Sequence, residues 1–191
     1  MQVSYPTPSS PVDLDNVVTL AELKTYLRVD NTVEDALITS LRAAAVGYIE
    51  EYVNGKIGIS VAVGSLDYFV NSVFPVGPVT GISSVTYLDA SGATQTLSSN
   101  SYYYDATSEP ARIAFHDVPS LETYALARVT IGFNVGYSID AVPDPIVTAL
   151  RMLVAHYYEN RRAVTSGAAI PRTVPLGVES LLAPYRVIRV V

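Results

Sequence analysis

The chain has 191 residues, of which 49% are hydrophobic and 16% are charged, and its formal net charge is -6. This composition is typical of a folded domain and not of a disordered segment. Because the chain has no cysteine, disulfide bonds and thiolate metal sites are excluded. The acidic balance disfavours a dedicated nucleic-acid-binding protein. Soluble domains average about 25% charged residues, so we expect much of the surface to face other protein.

Residues 1–18 are predicted to form an extended arm. Pro6, Pro8 and Pro11 lie among Ser and Thr, and Met1–Asn16 contains no Lys or Arg. A secretory signal peptide needs a basic start and an apolar run, so this arm is not expected to be one. Elsewhere the apolar runs fall far short of the roughly 20 residues that span a bilayer, and we expect no membrane association.

Two helices are predicted in residues 19–56. Thr19 and Glu22 form a capping-box pattern at the start of a short helix over Leu20–Leu27. A longer amphipathic helix is predicted from Thr32 to Asn54, because acidic residues fill its first turn and Gly55 can end it. Its apolar stripe is predicted to consist of Leu37, Leu41, Ala44, Ala45, Tyr48 and Tyr52.

Residues 57–140 are predicted to form a mainly antiparallel β region. Short β-branched and aromatic runs alternate there with Gly, Pro, Asn and Asp. The segment Asp89–Gly92 is predicted to be a hairpin turn with Gly92 at positive φ. The predicted strands are Ile59–Val63, Tyr68–Val70, Val85–Leu88, Ala93–Leu97, Ser101–Tyr104, Ala111–Phe115 and Ala127–Phe133.

Helical periodicity returns in residues 141–184. Pro145 suits the first turn of a helix predicted over Asp144–Arg162, followed by a loop over Thr165–Pro175 and a short helix over Val178–Ala183. The apolar face of the long helix is predicted to consist of Ile146, Leu150, Leu153, Val154 and Tyr157. The fold class is therefore α+β: a small bundle of α-helices forms the core, the β region is inserted in it, and residues 1–18 and 185–191 are extended arms.

The residue types give no support for an enzyme, a metal site or a cofactor site. His116 and His156 have no second ligand at metal-binding spacing. Neither a G-x-S-x-G motif nor a glycine-rich phosphate loop is present. Tyr102–Tyr104 could offer a stacking platform for a sugar or a base. Alternate residues of a strand face opposite sides, however, so a division between core and protein interface is favoured.

The charge is distributed unevenly along the chain. Residues 160–191 carry five arginines and one glutamate, a net charge of +4, so the remaining residues carry -10. Apart from the adjacent Arg161 and Arg162, these arginines are spaced far apart among apolar residues, and docking on an acidic protein surface fits them better than nucleic-acid binding. They are Arg161, Arg162, Arg172, Arg186 and Arg189.

Three blocks of sequence resemble the head-tail connector, or adaptor, proteins of tailed bacteriophages. Thr19–Ile57 is similar to the family's short helix, Leu-Arg-Val-Asp-like turn and long Ala-rich helix that ends at a glycine. Phe74–Gly92 resembles its Pro-x-x-Pro-Val entry to a valine-rich hairpin. Residues 135–163 and 174–187 resemble its Tyr-Glu-x-Arg helix and closing Leu-Leu-x-Pro-Tyr-Arg. The likeness is to the longer form with a β insertion, which also occurs in gene transfer agents.

The resemblance implies a structural, non-catalytic virion protein that is assembled in the host cytoplasm. It would form a dodecameric ring beneath the portal, extend the channel through which genomic DNA passes without sequence-specific binding, and contact portal and a stopper or tail-completion protein. Another neck component, or less readily a hydrolase or glycan-binding domain built on the β region, is the alternative. Residues expected to dock on portal or on an adjacent protomer are Arg161, Arg162, Arg172, Tyr185, Arg186, Val187, Ile188, Arg189, Val190 and Val191.

Overall fold

The computed structural model describes residues 1–4, 17–160 and 176–188, and these residues form two compact units. The β unit contains residues 1–4, Asn54–Ser138 and 187–188, and the helical unit contains residues 17–53, 139–160 and 176–186. The fold class is α+β, as predicted. The chain passes between the units after Val53, Ser138 and Arg186, whereas the sequence predicts boundaries after residues 56, 140 and 184.

The helical unit contains four α-helices in its described part. They are α1 (Leu20–Leu27), α2 (Asp35–Val53), α3 (Asp144–Glu159) and α4 (Leu176–Leu182). The helix α3 packs against α2 and α4, while α1 contacts both α2 and α3. A short 3-10 helix, Ala183–Tyr185, follows α4. None of the described helices is long and apolar enough to cross a bilayer.

The start of α1 is fixed by the predicted capping box. The Thr19 Oγ1 atom accepts a hydrogen bond from the Glu22 amide at 3.1 Å, and the Thr19 amide donates to Glu22 Oε2 at 2.8 Å. The hydrogen bonds from Thr19 lower the pKa of the Glu22 carboxyl below its ordinary value, and the bond from the Thr19 amide contributes most. The other Glu22 oxygen lies 3.3 Å from Arg151 Nη2, so an ion pair links α1 to α3.

The buried face of α2 differs from the predicted stripe. Ala45 is shared, but Leu37, Leu41, Tyr48 and Tyr52 are only partly buried, and Ala44 is exposed. The residues that are buried are Ile38, Arg42, Ala45, Val46, Ile49 and Val53. The predicted stripe is wrong because two neighbouring rows of this Ala-rich helix are apolar and the correct row contains an arginine. Arg42 is tolerated inside because its Nη1 donates to the Val18 carbonyl at 2.8 Å.

The apolar face of α3 follows the prediction closely. Ile146, Leu150, Leu153 and Val154 are buried, and Ala149 joins them. Tyr157 is partly buried, and this burial raises the pKa of its hydroxyl. The helix ends at Glu159 and not at the predicted Arg162, which lies outside the described residues.

The β unit contains eight described strands. In chain order they are β1 (Gln2–Ser4), β2 (Ser60–Leu66), β3 (Ser72–Val73), β4 (Val79–Leu88), β5 (Thr94–Thr96), β6 (Tyr102–Asp105), β7 (Arg112–Phe115) and β8 (Val129–Val135). They form a five-stranded sheet in the order β1-β2-β8-β4-β5 and a three-stranded sheet in the order β3-β7-β6. Every neighbouring pair is antiparallel, as expected for the inserted region.

Two strand predictions require correction. Tyr68–Val70 is not a strand: both end residues are exposed, and the Arg128 guanidinium lies 4.1 Å from the Tyr68 ring centroid. Conversely, Gln2–Ser4 of the predicted arm forms β1 and pairs with β2, Gln2 opposite Ser65. That pairing joins residues far apart in the chain, so no local sequence pattern indicates it.

The two sheets share one apolar core. Phe74 and Phe133 are completely buried, and their ring centroids lie 4.8 Å apart in an edge-to-face arrangement. The remaining buried residues of this core are Ala62, Leu66, Val76, Val79, Val85, Leu97, Ala111, Ile113, Val129, Ile131 and Val135. One face of each sheet is therefore covered within the β unit.

The predicted hairpin turn is held by one carboxylate. Asp89 Oδ1 accepts hydrogen bonds from the Ser91 hydroxyl at 2.6 Å and from the Ser91 and Ala93 amides, and Oδ2 accepts from Gln95 Nε2. These hydrogen bonds lower the pKa of Asp89 to about 2, and the bond from the Ser91 hydroxyl contributes most. Gly92 follows with φ +80, a conformation that glycine adopts without a steric penalty.

The corrected face of α2 predicts losses of stability of different size for two neighbouring residues. Ile38→Ala removes a fully buried side chain and should lower the free energy of unfolding by about 2–5 kcal/mol. Leu37→Ala, on the partly exposed row, should cost clearly less. Urea denaturation of the two variants measures the difference. A larger loss for Leu37→Ala would contradict the observed packing.

The turn at Asp89 predicts a pH dependence. Because the folded-state pKa lies near 2, below the ordinary 3.8, the carboxylate stabilises the turn above pH 4, and this contribution is lost as the pH falls through about 2. NMR titration of the Asp89 carboxyl carbon should show that midpoint. Ser91→Ala should raise the midpoint of Asp89 and leave that of Asp105 unchanged, since Asp105 is held by Thr107 and Ser108.

Candidate assembly surfaces

The two histidines each lie beside an aromatic ring. His116 stacks on Tyr103 with centroids 4.7 Å apart, and His156 lies 6.1 Å from the Tyr157 ring. Within residues 1–4, 17–160 and 176–188, no group of three His, Asp or Glu side chains is placed to hold a metal ion.

The tyrosines of β6 divide between the core and the surface. Tyr102 packs against the core beside Phe115, with ring centroids 6.5 Å apart. Tyr103 pairs with Ala114 on the opposite face and is 71% exposed. Tyr104 is half exposed. Tyr102 and Tyr103 thus divide between the core and the surface, but Tyr104, which the alternation of a strand places with Tyr102, is exposed as well.

The C-terminal residues begin with contacts to the helical unit. Tyr185 is half-buried at the end of the 3-10 helix, and the Arg186 amide donates to the Ala183 carbonyl at 3.3 Å. The exposed Arg186 guanidinium lies 5.5 Å from the ring centroid of Tyr52 in α2. Arg186 thus has a cation–π partner within the same chain.

Val187 is held by the β unit. It is 4% exposed, and its carbonyl accepts a hydrogen bond from Asn54 Nδ2 at 2.8 Å. A Cβ added at Gly77 would lie only 2.9 Å from Val187 Cγ2, so Val187 packs on glycine backbone. Ile188 follows at 74% exposure. Residues 185–187 therefore have partners inside the protomer, and docking of the predicted segment 185–191 on another protein stays a prediction.

The other predicted docking residues lie outside the described part of the chain. They are Arg161, Arg162, Arg172, Arg189, Val190 and Val191. Their role in docking stays a prediction.

The sequence analysis did not single out the segment His116–Arg128 between β7 and β8, here called the β7–β8 loop. Its tip contains Tyr124, which is 95% exposed, and Leu126, which is 82% exposed. The segment carries apolar residues that normally signal burial. Neither its single proline, Pro119, nor Thr123 near the tip indicates outward display, so only the structure locates this surface.

Hydrogen bonds fix the first half of the β7–β8 loop. Leu121 forms an isolated bridge with Asp89, and the Glu122 amide donates to the Leu88 carbonyl at 3.1 Å. Glu122 Oε1 then accepts from the amides of Thr123 at 2.9 Å and Tyr124 at 3.2 Å. The Glu122 carboxylate thus fixes the backbone that leads to the exposed Tyr124 ring.

The second half of the loop is fixed by a buried arginine. Arg128 is 6% exposed, its Nη1 donates to the Glu122 carbonyl at 2.6 Å, and its guanidinium covers the Tyr68 ring. Ala127 has φ +54, and its amide donates to Asp67 Oδ1 at 2.8 Å. Both ends of the loop are consequently anchored, while Tyr124 and Leu126 project.

Two cavities of similar size lie on the described surface. One, of about 390 Å³, is here called the α1–α3 cup and is lined by Ala21, Glu22, Thr25, Tyr26 and Arg151. The other, of about 360 Å³, is in the β unit and is lined by Met1, Gln2, Ser65, Leu66, Asp67, Tyr68, Val70 and Ala127. Tyr26 at the cup is 49% exposed, so this surface can accept an apolar group.

Comparison with known proteins finds likenesses in sequence and in fold. Residues 17–85 match the family model described as phage gp6-like head-tail connector protein. This match confirms the resemblance to head-tail connectors for the part of the chain from α1 into β4. No curated protein sequence matches the chain.

Solved structures match over the whole chain. A chain of the neck of an empty GTA particle computed with C6 symmetry has a TM-score of 0.77 and 24% identity. A chain of the virion of a native gene transfer agent particle has a TM-score of 0.76 and 24% identity, and one of the neck of a native GTA particle computed with C12 symmetry has 0.72 and 22%. Each match covers 100% of this chain and 98% of the other. These likenesses show that the fold is shared.

The contacts of Val187 predict where the C-terminal arm separates from the fold. Val187→Ala removes buried methyl groups and should lower the free energy of unfolding by about 1–3 kcal/mol. Residues 188–191 begin with an exposed side chain, so their removal should leave the free energy of unfolding unchanged. Chemical denaturation compares the two. A truncated protein that unfolds as easily as the Val187→Ala variant would show that the arm belongs to the fold.

Proposed function

We propose that the protein is a structural component of a virion neck, a head-tail connector that forms a ring beneath the portal. The observation that carries this proposal is the match of residues 17–85 to the head-tail connector family. That span includes α1 and α2, and the helical unit they build is completed by α3 and α4 from the other end of the chain. The likeness of fold to chains of GTA necks agrees with it.

The ring is proposed to contain twelve copies. Support comes from the similar GTA neck that was computed with C12 symmetry. The C6 symmetry used for another neck is compatible with twelve copies, because C6 is a subgroup of C12. A chain with only 16% charged residues has the sparsely charged surface that subunit contacts need. Adjacent protomers would use helix flanks and the tyrosine-bearing β region.

The lumen of the ring is proposed to continue the DNA channel. Genomic DNA passes through it without sequence-specific binding, since an acidic wall offers the phosphates few counterion-releasing contacts. The net charge of -6 supports such a wall. Arg42 adds no basic surface to it because it is 5% exposed and donates to the Val18 carbonyl.

The portal is proposed to be bound through the C-terminal arm and the arginines near it. Ile188 is the first exposed apolar residue of this arm, and Arg189 follows it in the sequence. Arg161, Arg162 and Arg172 add positive charge that suits an acidic partner. On its other side the ring would present the attachment platform for a stopper or tail-completion protein. The role requires no catalysis and no cofactor, and the protein would assemble in the bacterial cytoplasm.

Electron microscopy of the purified protein, alone and mixed with its cognate portal, tests the proposal. We expect closed rings that stack on the portal. A chain truncated after Val187 should keep its unfolding free energy and its rings but lose portal attachment. Full-length protein carrying Val70→Ser, a change at an exposed residue remote in sequence from the arm, is the control and should still bind.

Two results would contradict the proposal. Rings that bind the tail side of a pre-formed portal complex and never the portal itself would assign the chain to another neck component. A monomer that stays monomeric with portal and shows turnover of a glycan or ester would favour the β region as a hydrolase.

A further inference from the structure

The tip of the β7–β8 loop has the properties of a preformed docking element. Tyr124 and Leu126 are almost completely exposed, and tyrosine is one of the residue types that dominate binding energy in protein interfaces. A mobile loop would lose conformational entropy on binding, but this one is held by Glu122, Arg128 and Asp67. Ordering before binding reduces that entropic cost.

The symmetry of a ring restricts what the loop can contact. In a cyclic ring of more than two copies, each subunit must offer two different surfaces to its two neighbours. The cavity of the β unit shares Ala127 with the loop, so it adjoins the loop and does not give the second, separate surface that a ring needs. The α1–α3 cup is built from residues of the helical unit and is a separate surface.

The chemistry of the α1–α3 cup suits an aromatic side chain. Ala21, the methyl group of Thr25 and the half-exposed Tyr26 ring give it apolar walls. The Arg151 guanidinium stands at the cup and is held there by Glu22 at 3.3 Å. A guanidinium placed over a tyrosine face adds a cation–π attraction. Its volume of about 390 Å³ lies within the range of about 300–1,000 Å³ found for ligand pockets.

We propose that Tyr124 and Leu126 of one copy insert into the α1–α3 cup of the neighbouring copy. The inference rests on the proposed ring and assigns one of its subunit contacts. Arg128 acts as a positioning residue, since it fixes the loop through the Glu122 carbonyl and the Tyr68 ring. The occupant of the cup is thus a second copy of this chain.

Cysteine cross-linking tests the contact, because the natural chain has no cysteine. A double variant with Tyr124→Cys and Thr25→Cys, treated with a short bismaleimide, should give a ladder of covalent multimers on a denaturing gel. A mixture of the two single variants should stop at dimers, and each single variant alone should give none. The control, Val70→Cys with Thr25→Cys, pairs another exposed residue of the β unit with the cup and should give no ladder.

Assembly measurements provide the second readout. Tyr124→Ser alters only an exposed side chain, so its thermal unfolding should match that of the parent, while the concentration needed for ring formation should rise about tenfold or more. Val70→Ser, at an exposed residue away from the loop tip, should change neither the thermal unfolding nor the concentration needed for ring formation. Light scattering across a dilution series measures the midpoint concentration of ring formation.

The outcomes separate this inference from the proposed ring itself. Absence of the ladder overturns the inference, whether or not microscopy shows rings that stack on portal. Dimers from Tyr124→Cys alone would show a two-fold contact and also overturn it. A ladder from the double variant supports the contact even if the assembly fails to bind portal, in which case only the proposed neck function is lost.

Discussion

The helical unit depends on a contact between helices that are far apart in the sequence. The buried row of α2 and the apolar face of α3 pack together, although residues 54–143 intervene between them. Completely buried side chains such as Ile49 and Leu153 come from both helices. Because neither amphipathic helix can bury its apolar face alone, the unit forms only when the chain returns after the β unit. Arg42 adds a second constraint: its hydrogen bond to the Val18 carbonyl fixes the entry to α1.

The chain leaves the β unit through β8, the central strand of the larger sheet, and continues toward α3. β8 pairs with β2 on one side and β4 on the other, and its residues Val129, Ile131, Phe133 and Val135 are completely buried. At the end of β8 the backbone turns at Gly136, with φ +112. A Cβ there would lie 2.1 Å from the Gly58 carbonyl oxygen. Only glycine permits this close approach.

Sequence reasoning succeeded where the structure is decided by neighbours in the chain. The Thr19–Glu22 box and the Asp89–Gly92 turn depend on side chains within a few residues, and both are found in the structure. It failed where distant segments decide. Gln2 pairs with Ser65, and the row of α2 that contains Arg42 became the buried one because the Val18 carbonyl is available. For the candidate surfaces, sequence indicated the chain end but could not show that Val187 is enclosed while Ile188 is exposed.

The low charge of the chain has a structural counterpart on the uncovered face of the five-stranded sheet. One row across all five strands reads Gln2, Ser65, Thr130, Thr86 and Thr96 by the register of the pairs, and none of these residues is charged. Neighbouring Thr and Ser pairs of this kind stabilise a sheet by about 0.2–1 kcal/mol each.

Part of the exposed side of α2 also carries only small, uncharged residues. They are Ala36, Ala43, Ala44 and Gly47. Covering a charged surface with protein requires each ion to lose its hydration and to find a partner, whereas a hydroxyl can retain a hydrogen bond and a methyl group requires none. A sheet face of Ser and Thr and a helix face of Ala and Gly can therefore be enclosed by other protein at a low desolvation cost. The 16% charged composition leaves such faces free of the ions whose burial would oppose that enclosure.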